Sequence, residues 1–197
     1  SEIDQLTPEE RYQMSGELVA VTRQAGHGIV LPNVRGKDAQ ESTYHGLQLL
    51  KDRMGAGDIV VVHDAIRPMV SEELITDSIK VCRKKGMGVA ATYIMDTIMH
   101  SPDGKEGYQS INRYEIMKVQ TPQAFDFAYI WEKHNEAVGK NCLGAWDNSS
   151  MLTNLGEKVS FSAGSDLNLK INRTEDVEMF KALYRMKHQE ENERKER

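Results

Sequence analysis

The chain has 197 residues, 39% of them hydrophobic, and a formal net charge of −5, which is enough apolar material for one sizeable core and, at this length, one domain rather than two. No apolar run approaches the roughly 18 residues a bilayer span requires, residues 1–5 lack the basic start and apolar core of a signal peptide, and a net acidic chain lacks the clustered Lys and Arg of a broad nucleic-acid surface. The expectation is a soluble cytoplasmic protein with no membrane or nucleic-acid partner, in which any phosphate recognition is local.

In chain order, Thr7-Pro8-Glu9-Glu10 joins an N-cap, a proline at the first helical position and a capping-box glutamate, predicting a helix over 8–25 that Gly26 and Gly28 end. "IVLPNV" (29–34) reads as a short strand, 41–53 as a helix, and "DIVVVHDA" (58–65) as a buried strand of parallel type. Ser71 caps a helix over 72–85, and "GVAATYI" (88–94) is the next strand. Helices alternating with short apolar strands predict an α/β sheet with right-handed crossovers. Ser-Pro-Asp-Gly at the centre of 96–112 predicts a projecting β-hairpin. Helices over 125–138 and ending at 150–155, strands at 158–164 and 168–172, and a last helix over 175–186 complete one domain over 1–186. A charged tail over 187–197 is expected to fray. Cys82 and Cys142 form no metal-ligand pattern, the six histidines show no zinc spacing, and Met179, Phe180 and Leu183 read most simply as core.

In an open parallel sheet, ligands collect outside the carboxyl ends of the strands, where His63, Asp64 and Arg67 fall. Asp64 reads equally as a turn cap paired with Arg67. Asp96-Thr97 ends the next strand in the same way, and two neighbouring carboxylates raise one another's pKa unless a cation such as a nucleotide-bound Mg²⁺ intervenes. "VQTPQAF" (119–125) groups a threonine and two glutamines around a proline-fixed turn, or is an ordinary helix entry. In "NLKI", Lys170 shares one strand face with Asn168. Lys170 and Arg113 either protect an edge or bind phosphate.

The blocks "VHDAIRPMV", "DTI", "NRYEIMKVQTPQAF" and "GSDLNLKINRTEDV", in this order over 28–186, resemble the cytidylyltransferases that act on sugar-alcohol phosphates, with 2-C-methyl-D-erythritol 4-phosphate or ribitol 5-phosphate as acceptor. The resemblance implies a Rossmann-like nucleotidyltransferase sheet with helices on both faces. It also implies transfer from CTP to give a CDP-polyol and pyrophosphate, Mg²⁺ as cofactor and a homodimer joined through the hairpin arm. It implies that Asp64 meets the metal-bound triphosphate, with Ala65 beside the nucleotide and Gly36 and Ser42 beside the cytosine. Thr97, Arg113, Thr121 and Lys170 would hold the polyol phosphate, part of that set reaching over from a dimer partner on the hairpin arm, with Asp64 and Lys170 as the catalytic residues.

The chain also departs from the family. Nothing like the family's Gly-rich triphosphate loop precedes residue 28, so the expectation is that the chain starts after the family's first strands and transfers little cytidylyl on its own. Lys37 and Ala39 stand where the family usually has an acid and an arginine, and Trp146 replaces a threonine beside the retained Asp147. The alternative from another class is a non-catalytic dimeric binding module that keeps only the substrate half of the site.

Overall fold

The structure is a computed structural model that describes residues 17–22, 28–34 and 36–195. Six strands form one sheet: β1 (Glu17–Thr22), β2 (Gly28–Val34), β3 (Ile59–Asp64), β4 (Met87–Tyr93), β7 (Met117–Asp126) and β8 (Phe161–Ala163), in the spatial order β2-β1-β3-β7-β4-β8. Two short strands, β5 (Ile98–His100) and β6 (Gln109–Ile111), pair antiparallel as a separate hairpin between β4 and β7. Among the described residues the α-helices are α1 (Ala39–Leu50), α2 (Glu72–Lys85), α3 (Phe127–Gly139), α4 (Asn148–Asn154) and α5 (Thr174–Lys195).

Strand periodicity sorts the core. Val60 and Val62 point to one face of β3, into a cluster with Leu47 and Leu50 of α1, Ile130 of α3 and Met151 and Leu152 of α4. Ile59 and Val61 point to the other, against Ile79 and Cys82 of α2. Helices therefore cover both faces, as the resemblance implied. The second layer is tight: a Cβ on Gly88 would lie 2.1 Å from the Ser78 carbonyl oxygen of α2. Burial pushes the Cys82 thiol up to about 12, so it acts as a small apolar side chain.

Several expectations are corrected. Of the segment expected as a helix over 8–25, residues 17–22 form β1, antiparallel to both β2 and β3; the rest of that segment lies outside the described residues. Val19 and Val21, both β-branched, suit a strand. β3 has antiparallel neighbours on both sides, β1 and β7, so its unbroken apolar run reflects burial on two faces rather than parallel pairing. Residues 119–125 are no turn but the heart of β7, a ten-residue strand at the middle of the sheet. The expected strand at 168–172 is a loop, while α5 continues through the charged segment to Lys195. Met179 is exposed, not core. Among the described residues, no helix is long and apolar enough to cross a membrane.

Candidate functional site

The carboxyl end of β3 gathers charged and polar side chains from three parts of the chain, residues 63–67, Thr121 and Lys170. Asp64 ends the strand, and its Oδ2 lies 3.1 Å from Arg67 Nε and 3.1 Å from Lys170 Nζ. The Asp64 and Arg67 side chains are each 11% exposed, so this pair is held largely out of water, whereas Lys170 at 34% keeps its ammonium within reach of a solute. Two cations on one carboxylate leave the cluster net positive, which is the sign needed to receive an anion.

Thr121 braces the cluster from β7. Its Oγ1 accepts the Asp64 backbone N–H at 2.9 Å and lies 3.0 Å from His63 Nδ1, while His63 Nε2 lies 3.1 Å from the Arg67 carbonyl oxygen. One assignment satisfies all three contacts: Nε2–H donates to Arg67, Nδ1 accepts the Thr121 hydroxyl proton, and the imidazole is neutral. Burial lowers the His63 pKa, in keeping with that neutral ring. His63 therefore shapes the turn rather than offering a free ligand.

The loop carrying Lys170 is tied down without a strand ladder. The Gln120 side-chain amide grips Ser165 at both ends, donating to its carbonyl at 2.9 Å and accepting its N–H at 3.1 Å. Asn168 Nδ2 donates to the Thr121 carbonyl at 2.7 Å, and the Asn168 carbonyl accepts Arg67 Nη1 at 2.8 Å. Past Lys170, the Ile171 N–H donates to the Ile66 carbonyl at 2.8 Å.

The remaining candidates occupy other places. Gly36 and Ser42 form the turn into α1, where the Ser42 hydroxyl accepts the Gly36 N–H at 2.9 Å and donates to the Asp38 carbonyl at 2.8 Å. A Cβ on Gly36 would lie 2.6 Å from the Ser42 nitrogen, so glycine alone fits this turn. Thr97 is exposed, and Asp96 lies in the bend beyond Tyr93, where β4 ends, rather than at a strand end beside Asp64. Arg113, at the far foot of the hairpin, donates to the Met95 carbonyl and lies 5.4 Å from the centroid of the Tyr114 ring. Ala65 follows Asp64 directly, exposed in the turn. Asp147 caps α4 and accepts Gln123 Nε2 at 2.7 Å, while its neighbour Trp146 is 83% exposed.

The sequence pattern marked Asp64, Thr121 and Lys170, which the fold brings together. It placed Asn168 and Gln120 only as strand or turn positions, and their role as ties was missed. The signal was there in part, since Asn168 and Lys170 were expected on one face.

The family model described as "IspD: 2-C-methyl-D-erythritol 4-phosphate cytidylyltransferase" matches residues 18–186. The ribitol-5-phosphate cytidylyltransferase of Lacticaseibacillus paracasei is 34% identical over 155 residues, covering 77% of this chain and 66% of that protein. The 2-C-methyl-D-erythritol 4-phosphate cytidylyltransferase of Clostridium beijerinckii is 34% identical over 142 residues, covering 72% and 61%. The chain thus spans just under two thirds of the length of these relatives. The crystal structure of 2-C-methyl-D-erythritol 4-phosphate cytidylyltransferase from Thermus thermophilus superposes with a TM-score of 0.64 at 31% identity, covering 74% of this chain and 69% of that one.

Proposed function

The chain belongs to the 2-C-methyl-D-erythritol 4-phosphate cytidylyltransferase family, and from that premise we propose that the full-length protein transfers the cytidylyl group of CTP to a polyol phosphate. A phosphate oxygen of the acceptor bonds to the α-phosphorus of CTP as the bond from that phosphorus to pyrophosphate breaks, giving a CDP-polyol. The observation that carries this reading is the Asp64–Arg67–Lys170 cluster at the end of β3.

In this proposal, Lys170 meets the acceptor's phosphate with the ammonium donors that Asp64 leaves free, and Asp64 fixes its direction. Thr97, Thr121 and Arg113 complete the phosphate side, Arg113 leaving the Met95 carbonyl to do so. Gly36 and Ser42 face the cytosine, and the backbone at Ala65 borders the nucleotide. Thr121 acts through its brace on Asp64, since its hydroxyl proton is engaged by His63. Such a site works by orientation and charge neutralisation, with no covalent intermediate on the protein.

The donor set fits a Mg²⁺ that arrives on the triphosphate. Among the described residues no group of three His, Cys, Asp or Glu side chains could cage an ion, and Mg²⁺ is ordinarily held by one or two carboxylates together with substrate phosphates. Asp64 supplies the single carboxylate. The ion, when bound, would offset charge on the triphosphate.

The hairpin supports a homodimer. Tyr93, Met95, Met99, Tyr108 and Tyr114 are all exposed large apolar side chains on or beside it, a concentration that suits a protein interface.

The test is pyrophosphate release by the full-length protein from CTP and Mg²⁺ with 2-C-methyl-D-erythritol 4-phosphate or ribitol 5-phosphate. The first acceptor is the expected one, and the resemblance to the Lacticaseibacillus enzyme makes the second the alternative. Release with neither, alongside retained binding of a polyol phosphate, would replace catalysis with the binding-module reading. The expectation that residues 1–197 alone turn over slowly belongs to the same assay.

A further inference from the structure

We propose that Asn168 is the positioning residue that sets Lys170 and Arg67 together on Asp64, an inference that rests on the reading of Lys170 as a phosphate contact. A lysine on a surface loop ordinarily samples many rotamers, and the backbone that bears it adds its own freedom. Among the described residues the segment has no ladder partner to hold it, because 168–172 is a loop. Its position must come from discrete ties, and Asn168 makes the two that matter to the charge cluster.

The first tie runs through its side chain. Asn168 is 1% exposed, and Nδ2 donates at 2.7 Å to the carbonyl of Thr121, the same residue whose hydroxyl accepts the Asp64 N–H. The second runs through its backbone, where the carbonyl accepts Arg67 Nη1 at 2.8 Å while Arg67 Nε lies 3.1 Å from Asp64 Oδ2. One residue thus holds the support of the carboxylate and one of its two cations, and the other cation, Lys170, is two residues further on. Ile171 closes the frame on the far side by donating to Ile66 at 2.8 Å.

A space-filling role explains this less well. Asn168 Oδ1 is buried with no hydrogen-bond partner among the described residues, an unfavourable state that an apolar side chain of the same shape would avoid. What such a side chain would lose is the Nδ2 donor to Thr121. The Gln120 clasp on Ser165 anchors the loop upstream, and Gly164 lets the loop pass so close to β4 that a Cβ there would lie 2.7 Å from the Ala91 carbonyl oxygen. That anchor fixes where the loop starts. Asn168 fixes where it aims.

The experiment reads Lys170 directly, with no substrate present. Pulse acylation with acetic anhydride, followed by mass spectrometry of the peptide bearing Lys170, reports how often its ammonium leaves Asp64. Asn168→Ala should raise that rate by about threefold or more relative to other lysines, the factor by which losing one ordinary hydrogen bond shifts a local opening equilibrium. The thermal transition should stay cooperative. Should Asn168→Ala fail to fold, Asn168→Leu carries the same comparison, since it keeps the volume of the side chain and removes the Nδ2 donor to Thr121. An unchanged Lys170 rate in a folded variant would overturn the assignment.

Isothermal titration of the same variants with 2-C-methyl-D-erythritol 4-phosphate and ribitol 5-phosphate keeps the two readings apart. Wild-type protein that binds neither would count against the cytidylyltransferase reading, and the acylation rates would still decide the role of Asn168.

Discussion

Lys170 Nζ lies 3.1 Å from Asp64 Oδ2, joining a loop near the end of the domain to the tip of a central strand. The pair has a chemical consequence for any phosphate that approaches: the ammonium is already aimed, and the carboxylate behind it accepts one of its three donors.

If Lys170 is the acceptor-phosphate contact, Lys170→Ala should weaken binding of 2-C-methyl-D-erythritol 4-phosphate by at least about tenfold, since a charge-assisted hydrogen bond contributes roughly 1.5 to 3 kcal/mol. Arg113→Ala should do the same. Titration calorimetry at fixed ionic strength checks both, and equal affinities for variant and wild type would remove the residue from the site.

Acid sensitivity should come in part from His134. It is a buried residue of α3, with Nε2 lying 3.0 Å from Asn148 Oδ1, and burial lowers its pKa from 6.5 to about 4. The folded ring therefore binds its proton less readily than the unfolded one. Its contribution to stability is fully present above pH 6.5 and is lost as pH falls toward 4, by on the order of 3 kcal/mol. Urea unfolding at about pH 7 and about pH 4.5 should show this fall, and His134→Gln, which cannot titrate, should show a smaller one.

Gly88→Ala should destabilise the fold by at least about 2 kcal/mol, because the added Cβ would drive into the backbone of α2 at Ser78 and neither element can yield cheaply. Gly55, whose added Cβ would meet nothing within 4 Å, is the control and should tolerate alanine. Thermal midpoints of the two variants make the comparison.

Much of this architecture is legible in the sequence, and the failures have physical causes. β3, α2, β4 and the hairpin follow from apolar runs, the Ser71 cap and the Ser-Pro-Asp-Gly turn. β7 was hidden by Pro122, which normally argues against a central strand. The strand accommodates it where the β4 pairing shifts register, between Val89 and Ala91, so the missing N–H falls at an irregularity in the ladder. The loop at 168–172 had the opposite problem. Asn168, Leu169, Lys170 and Ile171 alternate like a strand, but their bonds go to Thr121, Arg67 and Ile66 rather than to a neighbouring strand. Local pattern carried Asp64 and Lys170 as separate candidates, and only the tertiary path shows that they touch.

Deleting residues 101–107 should change the sedimentation coefficient if the hairpin is the intersubunit arm. A two-stranded hairpin is marginal in water by itself, and its exposed Met99 and Tyr108 need something to cover them. Identical sedimentation of the shortened and intact chains would leave the dimer without its arm.

The hairpin also sits at an unusual point in the chain. β4 and β7 pair directly, yet residues 94–116 leave the sheet and return between them. The entropy of closing such a connection grows only slowly with its length, by about 0.6 kcal/mol for each doubling. The excursion can therefore lengthen, shorten or exchange its sequence at little cost to the pairing of β4 with β7. The strand ends beneath it keep their register whatever the excursion carries.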